Sequence, residues 1–413
     1  MTSDQLKLIA VVLRFGIPYG FKILFQSLQA VYHGWTYKAL PIADTVVVIG
    51  GSFAGLALAK RLCQTLPTGY KVTLIEKNSH FNFSWVFPRF AVVPGHEDKA
   101  FIPYDGIARR APAGIFKRVH ESVTTITSTH VCLSSGEKIE YAFLAIATGS
   151  SQPVPAKVLA TDSQEGCAEL RAVQDNIHTA GRIAVVGGGA VGIEIASDIK
   201  SFFPCKDVTL YHSRSQLLPT FGYRLHEHVA NEFETLGIRV VYEERPEILP
   251  GRKSLRIIKG VEEFDLIIPC TGQRPNSVLL RDLAPNAISK ETKHILVKPT
   301  LQIDDPANSL PHIFALGDVA ATGGPKMARA SQFQAEIVLA NILAMIRKGT
   351  PTTTYTPQPF IEGAIKLTLG KKAYTVYAQE SDGRDILVAA NDGREDHGIL
   401  RGWRMLGARY QKS

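Results

Sequence analysis

"VVVIGGSFAG", residues 46–55, is an apolar, largely β-branched run that breaks into glycines, and "IAVVGGGAVG", residues 183–192, repeats its design. Around each copy the same units recur. Thr45 to Ile49 has the composition of a strand buried on both faces, the glycines form a turn, Leu56 to Leu62 has a helical composition, and Lys71 to Glu76 is a second strand ending in an acid. In the second copy Arg182 to Val186 is the strand, Ile193 to Phe202 the helix and Asp207 to Tyr211 the next strand. Two βαβ units in one chain predict an α/β protein with two parallel sheets.

Each unit later meets a strand that closes on Thr-Gly, Phe143 to Gly149 in the first case and Leu266 to Gly272 in the second. Ile313 to Asp318 is a further buried strand, ending Gly-Asp, and Pro325 to Ile346 reads as a long helix. The alternation from Lys117 to Tyr141, with a turn at Ser134-Ser135-Gly136, predicts a small β-meander.

The glycine turns have a common physical use. A pyrophosphate is held best at a helix N-terminus, where unpaired N–H groups and the helix dipole meet the anion, and close approach requires a turn without side chains. In G-x-G-x-x-G the first glycine makes the turn, the second admits the phosphates and the third lets the helix sit against the strand. Gly187, Gly189 and Gly192 complete the pattern; in the first copy Ser52 stands at the middle position, between Gly50 and Gly55. Glu76 is placed to take the ribose hydroxyls of an adenosine. At the corresponding place in the second copy stand His212, Ser213 and Arg214, which leave both NADPH and NADH open.

These stretches, with "AIATGS" at 145–150, "CTGQRPN" at 270–276 and "IFALGDVA" at 313–320, resemble the two-dinucleotide flavoprotein superfamily. "FIPYDG" and "GPKMARASQFQAEIVLANI" narrow the resemblance to its apoptosis-inducing-factor-like branch, which includes ferroptosis-suppressor oxidoreductases. The resemblance implies two Rossmann-like domains, the NAD(P) domain inserted into the FAD domain, plus a small C-terminal domain. The expected boundaries are 44–160 with 299–350 for FAD, 161–298 for NAD(P)H and 351–413 for the C-terminal segment, after an apolar and basic segment at 1–43. It implies FAD contacts at Gly50, Gly51, Ser52, Gly55, Glu76, Thr148, Gly149, Gly317 and Asp318. NAD(P)H would use Gly187, Gly189 and Gly192, with Arg214 as the candidate for a 2′-phosphate.

For the chemistry, Lys326 near the start of the long helix is a candidate to face a reduced, anionic flavin, or it is an ordinary first-turn cation. Glu194 is either the acid that the family places near the flavin edge and nicotinamide or a routine compensation of the helix dipole. Where disulfide reductases carry a cysteine pair this chain has Phe81 to Phe90, aromatic and without cysteine, which argues against thiol reduction and suits a quinone or an ordinary core. Gln332 and Gln334 are further candidates on the acceptor side, and no cation of the C-terminal segment can be matched to a role.

The remaining features bound the answer. With 413 residues, 45% hydrophobic and 20% charged, the chain needs more than one core. Its five cysteines form no close pair and no metal spacing, which predicts a reducing, intracellular setting and no structural metal. Residues 6–33 are apolar and aromatic, but Lys7, Arg14 and Lys22 interrupt them, and Gly16, Pro18 and Gly20 argue for two short helices rather than one. That segment suits a membrane surface, packing on the body, or an uncleaved mitochondrial address. Thr2 is not the glycine that N-myristoylation requires. The expected function is transfer of a hydride from NAD(P)H to FAD and of electrons to a quinone or similar small acceptor. A flavoenzyme of specialised metabolism is the alternative, and a redox-responsive death effector with a nucleic-acid-binding surface is a second, although no nucleic-acid module is visible.

Overall fold

The computed structural model describes residues 2–251 and 253–411. Its centre is a five-stranded parallel sheet in the order Ile313–Ala315, Phe143–Ile146, Asp44–Ile49, Tyr70–Ile75, Phe116–Val119. Val46, Val47 and Val48 are fully buried, as expected for a strand covered on both faces. On one face the helices Phe53–Cys63 and Ala328–Ile346 pack through Leu58, Leu62, Val338 and Ile342. The other face is closed by Val123, Ile126 and Val131 of an antiparallel meander, Val123–Ile126, His130–Leu133 and Lys138–Glu140. The meander therefore starts later than the alternation suggests, because Phe116–Val119 pairs in parallel with Tyr70–Ile75 and extends the main sheet.

A second parallel sheet, ordered Arg239–Val241, Asp207–Tyr211, Arg182–Val186, Leu266–Pro269, lies in sequence between two neighbouring strands of the first. The inserted two-Rossmann arrangement is thus what the chain adopts. A third sheet, antiparallel, comprises Ile365–Leu369, Ala373–Gln379 and Asp385–Asn391. Its Leu367, Leu369 and Tyr377 are buried in the same core as Ile193, Ala196 and Ile199 of the helix Ala190–Phe202. Burying each large side chain stabilises the join by about 1.5–3 kcal/mol.

The N-terminus corrects the two-helix expectation. Ser3–Thr36 is one continuous helix with Pro18 inside it. Proline removes a single backbone donor there, and a side chain at Gly16 or Gly20 would meet almost nothing, so neither crowding nor burial breaks the helix at this point. The body also holds it along its length. Asp4 accepts from Arg224 at 2.6 Å and from the Leu387 N–H at 3.3 Å, Gln26 donates to Glu336 at 3.2 Å, and His33 bonds the Leu66 carbonyl at 2.7 Å. The outer face stays bare: Phe21 and Phe25 are 69% exposed and Trp35 is 81% exposed. By length and composition the helix is apolar enough to cross a membrane.

Candidate active site

The first glycine turn is shaped by its surroundings. Gly50 has φ +101°, and a side chain there would run into the Ala147 carbonyl, while one at Gly55 would run into the carbonyl of Gly50. Glu76 accepts from the Gly51 N–H, and the Tyr104 hydroxyl donates to the Gly51 carbonyl at 2.9 Å. Ser52 is the N-cap of the helix Phe53–Cys63, yet its hydroxyl makes no capping bond. Among the described residues the turn therefore presents a hydroxyl that makes no capping bond, and the first N–H groups of that helix, which have no partner within the helix, beside a carboxylate.

From the neighbouring strand ends, Thr148 and Asn276 exchange two bonds, Thr148 Oγ1 to the Asn276 carbonyl and Asn276 Nδ2 to the Thr148 carbonyl, each at 2.8 Å. This ties the Thr-Gly strand of the first sheet to the return from the second. Asp318 accepts from Ser150 at 3.0 Å and Gln273 at 3.3 Å. Gly317 donates its N–H to Gln334 at 2.8 Å. The helix expected from Pro325 begins at Ala328, so Lys326 precedes it; there Lys326 donates to the Ala320 carbonyl, and burial lowers its pKa.

Gly50, Ser52, Glu76, Thr148, Gly149, Gly317, Asp318, Glu194 and Lys326 all line one cleft of about 2560 Å³. Gly51 and Gly55 lie behind the turn. A side chain at either would strike backbone or Glu76, and the turn keeps the form a pyrophosphate needs. The residues present thus fit an FAD cradle.

The second turn has the same form. Gly187 has φ +127° and a side chain there would press on the Cys270 carbonyl, one at Gly192 would strike Gly187, and the space at Gly189 is open. Gly187, Gly189, Gly192 and Arg214 stand outside the cleft lining, but Ala190, Val191 and Glu194 of the same helix reach it. Glu194 Oε1 accepts from both the backbone N–H and the hydroxyl of Thr368, each at 3.1 Å. Burial and the nearby Asp198 push its pKa up to about 7, against the opposing pull of those bonds.

One turn further along that helix, Asp198 accepts from Arg89 at 2.7 Å, and Arg89 also donates to the Gly370 carbonyl at 2.8 Å. Both side chains of the pair are fully enclosed, at 2% and 0% exposed. Arg89 therefore joins three parts of the chain beneath Glu194. Thr368, Arg89 and Asp198 are absent from the residues that the sequence singles out. The sequence signal is the pair of acids Glu194 and Asp198, four apart on a largely apolar helix.

The aromatic stretch divides. Val86 and Phe90 are core alone, Phe81 and Phe87 are buried but border the cleft, and Phe83 and Trp85, edge to face at 5.4 Å, line it as well. Gln334 is buried and committed to Gly317, so only Gln332 of the two glutamines lines the cleft. Tyr19 and Ile23 of the N-terminal helix line it too, with Arg401 and Met405 of the C-terminal helix Leu400–Met405. The cysteines Cys63, Cys132, Cys167, Cys205 and Cys270 are all free.

A family profile described as pyridine nucleotide-disulphide oxidoreductase matches residues 44–335. The chain is similar to Fe-regulated protein 8 of Mycosarcoma maydis, 34% identical over 79% of this chain and 86% of that protein. It is also similar to human ferroptosis suppressor protein 1, 30% identical over 76% of this chain and 83% of that protein. Among solved structures, the sulfide:quinone oxidoreductase of Aquifex aeolicus superposes with a TM-score of 0.71 over 88% of this chain and 90% of its own, at 17% identity, a likeness of fold.

Proposed function

This chain belongs to the pyridine nucleotide-disulphide oxidoreductase family, and we propose from that premise that its electrons leave to a membrane-borne quinone rather than to a disulfide. It is an FAD-dependent pyridine nucleotide oxidoreductase supplied by NAD(P)H. Gly50, Gly51, Ser52 and Gly55 would hold the FAD pyrophosphate, Glu76 its adenosine ribose, and Gly317 and Asp318 its ribityl chain. Thr148, Gly149 and Lys326 would stand alongside. Bound there, FAD supplies acceptance of a hydride from nicotinamide and delivery of two electrons onward.

The observation that carries the quinone reading is the wall of the cleft. Phe83 and Trp85 offer flat apolar surfaces to the cleft, and Tyr19 and Ile23 line the same cleft from a helix whose outer face carries the bare Phe21 and Phe25. A lipid-soluble acceptor needs such a route, and a water-soluble thiol does not. Reducing a quinone also needs protons, and Glu194, with a pKa near neutrality, holds one at the cleft edge. Arg14 along the same helix suits an anionic bilayer surface, whereas Lys7 and Lys22 pair with Asp4 and Glu336 of the chain itself.

The test compares turnover of NAD(P)H with ubiquinone analogues, disulfides and oxygen, with and without anionic phospholipid vesicles. Quinones should raise turnover well above the oxygen background, and vesicles should raise it further. Replacing Phe21 and Phe25 by serine should abolish the vesicle effect while leaving flavin reduction unchanged. Failure of every quinone to exceed the oxygen rate would overturn the reading.

A further inference from the structure

The two nucleotide turns can be compared bond for bond. In the first, the second residue of the turn, Gly51, donates its N–H to Glu76, just past the strand Tyr70–Ile75. In the second, the equivalent Gly188 donates its N–H to His212 Nδ1 at 3.2 Å, just past the strand Asp207–Tyr211. The neighbour relation is also shared: a side chain at Gly51 would press on Glu76, and one at Gly188 would press on the His212 ring. His212 therefore stands where the first turn keeps its ribose-binding acid.

The ring's hydrogen bonds fix its chemistry. Nδ1 accepts from Gly188, and Nε2 lies 2.9 Å from the Gln216 carbonyl, which can only accept, so Nε2 carries the proton and the imidazole is neutral. Burial lowers its pKa, in keeping with that state. Both nitrogens are thus engaged within the fold, leaving no acceptor for a ribose 2′-hydroxyl and no negative charge to repel a phosphate.

The next residues point the other way. Ser213 and Arg214 are exposed, and among the described residues no carboxylate pairs with the Arg214 guanidinium. The facing segment brings two acids close through its backbone, the Glu243 N–H to the Arg214 carbonyl at 3.2 Å and the Glu244 N–H to the His212 carbonyl at 3.0 Å. Glu244 is buried and turned to the Ile258 N–H, and Glu243 is exposed.

We propose that the second turn is selective for NADPH: Arg214 and the Ser213 hydroxyl bind the 2′-phosphate of a nucleotide seated on Gly187, Gly189 and Gly192, and His212 removes the acid that would favour NADH. The inference rests on the reading of this turn as the NAD(P)H site and adds its substrate.

The test uses the flavin-loaded protein and two probes that differ in the phosphate, 2′,5′-ADP and 5′-AMP, titrated by calorimetry, beside kcat/KM for NADPH and NADH. The expected result is at least tenfold tighter binding of 2′,5′-ADP and an equal or larger preference for NADPH. Arg214→Ala, at an exposed position that leaves folding intact, should bring the two probes within about threefold of each other. His212→Glu should reverse the preference. Equal binding of the two probes by the unmodified protein, or an Arg214→Ala variant that keeps the full preference, overturns the proposal. Flavin reduction by neither nucleotide would instead overturn the reading of the site on which it rests.

Discussion

Replacing Thr368 by valine removes one of the two donors that hold Glu194 and keeps the shape of the side chain. Glu194 Oε1 accepts from the Thr368 hydroxyl at 3.1 Å and from its backbone N–H at the same distance, and only the first is lost. A hydrogen bond to a charged group contributes roughly 1.5–3 kcal/mol, and a pKa unit corresponds to about 1.4 kcal/mol. Full loss would therefore raise the carboxyl by about one to two units, and water entering from the cleft replaces part of it, leaving about one unit. The direction is upward because the bond stabilises the ionised form. From about 7 in the unmodified protein, the carboxyl should move to about 8 in the variant.

With Glu194 as the proton donor to the acceptor, kcat is flat where the acid is protonated and falls as pH rises through its pKa. The assay is kcat against pH with both substrates saturating. Thr368→Val should carry the falling limb about one unit higher, with little change in KM for the nucleotide. Glu194→Gln should remove the limb. A limb that stays in place in Thr368→Val, or moves to lower pH, would refute the pairing of these two residues as a working unit.

Two further outcomes follow from buried charge and from the flavin cradle. Arg89→Ala leaves Asp198 enclosed without its cation and should cost about 3–5 kcal/mol in denaturant unfolding, most of which the double variant Arg89→Met with Asp198→Leu should restore by substituting apolar packing; loss below about 1 kcal/mol would contradict the account. Asp318→Ala removes a carboxylate that lines the cleft and should yield protein purified without its yellow colour, read as the ratio of flavin to protein absorbance. Full retention of flavin would contradict the ribityl assignment.

Much of the fold was legible because its signals are local. A buried apolar strand, a glycine turn, a helix and a terminal acid fall within thirty or so residues of one another, and backbone sterics leave few alternatives to glycine at those points. The N-terminal helix was misread because proline and glycine are judged for an isolated helix, whereas this one is tied to the body at Asp4, Gln26 and His33. The support beneath Glu194 was not legible for a different reason. Thr368 lies 174 residues away from it in sequence and Arg89 lies 109 residues from Asp198, and neither carries a motif. Threonine in a strand and arginine among aromatics become informative only after three sheets are brought together. His212 sits between these cases: its position at a strand end was readable, but its bond to Gly188, and hence its equivalence to Glu76, was not.

The central claim is that two separate glycine turns hold two separate dinucleotides, and substitution of Gly189 tests it most directly. Nothing lies within 4 Å of the place where a side chain would begin there, so tryptophan can be accommodated by the fold while filling the approach of a pyrophosphate. Stopped-flow mixing of Gly189→Trp with NADPH should show protein that keeps its flavin yet fails to bleach, while dithionite still reduces it fully. Bleaching at the unmodified rate would contradict the account, because the nucleotide would then be entering by some other seat.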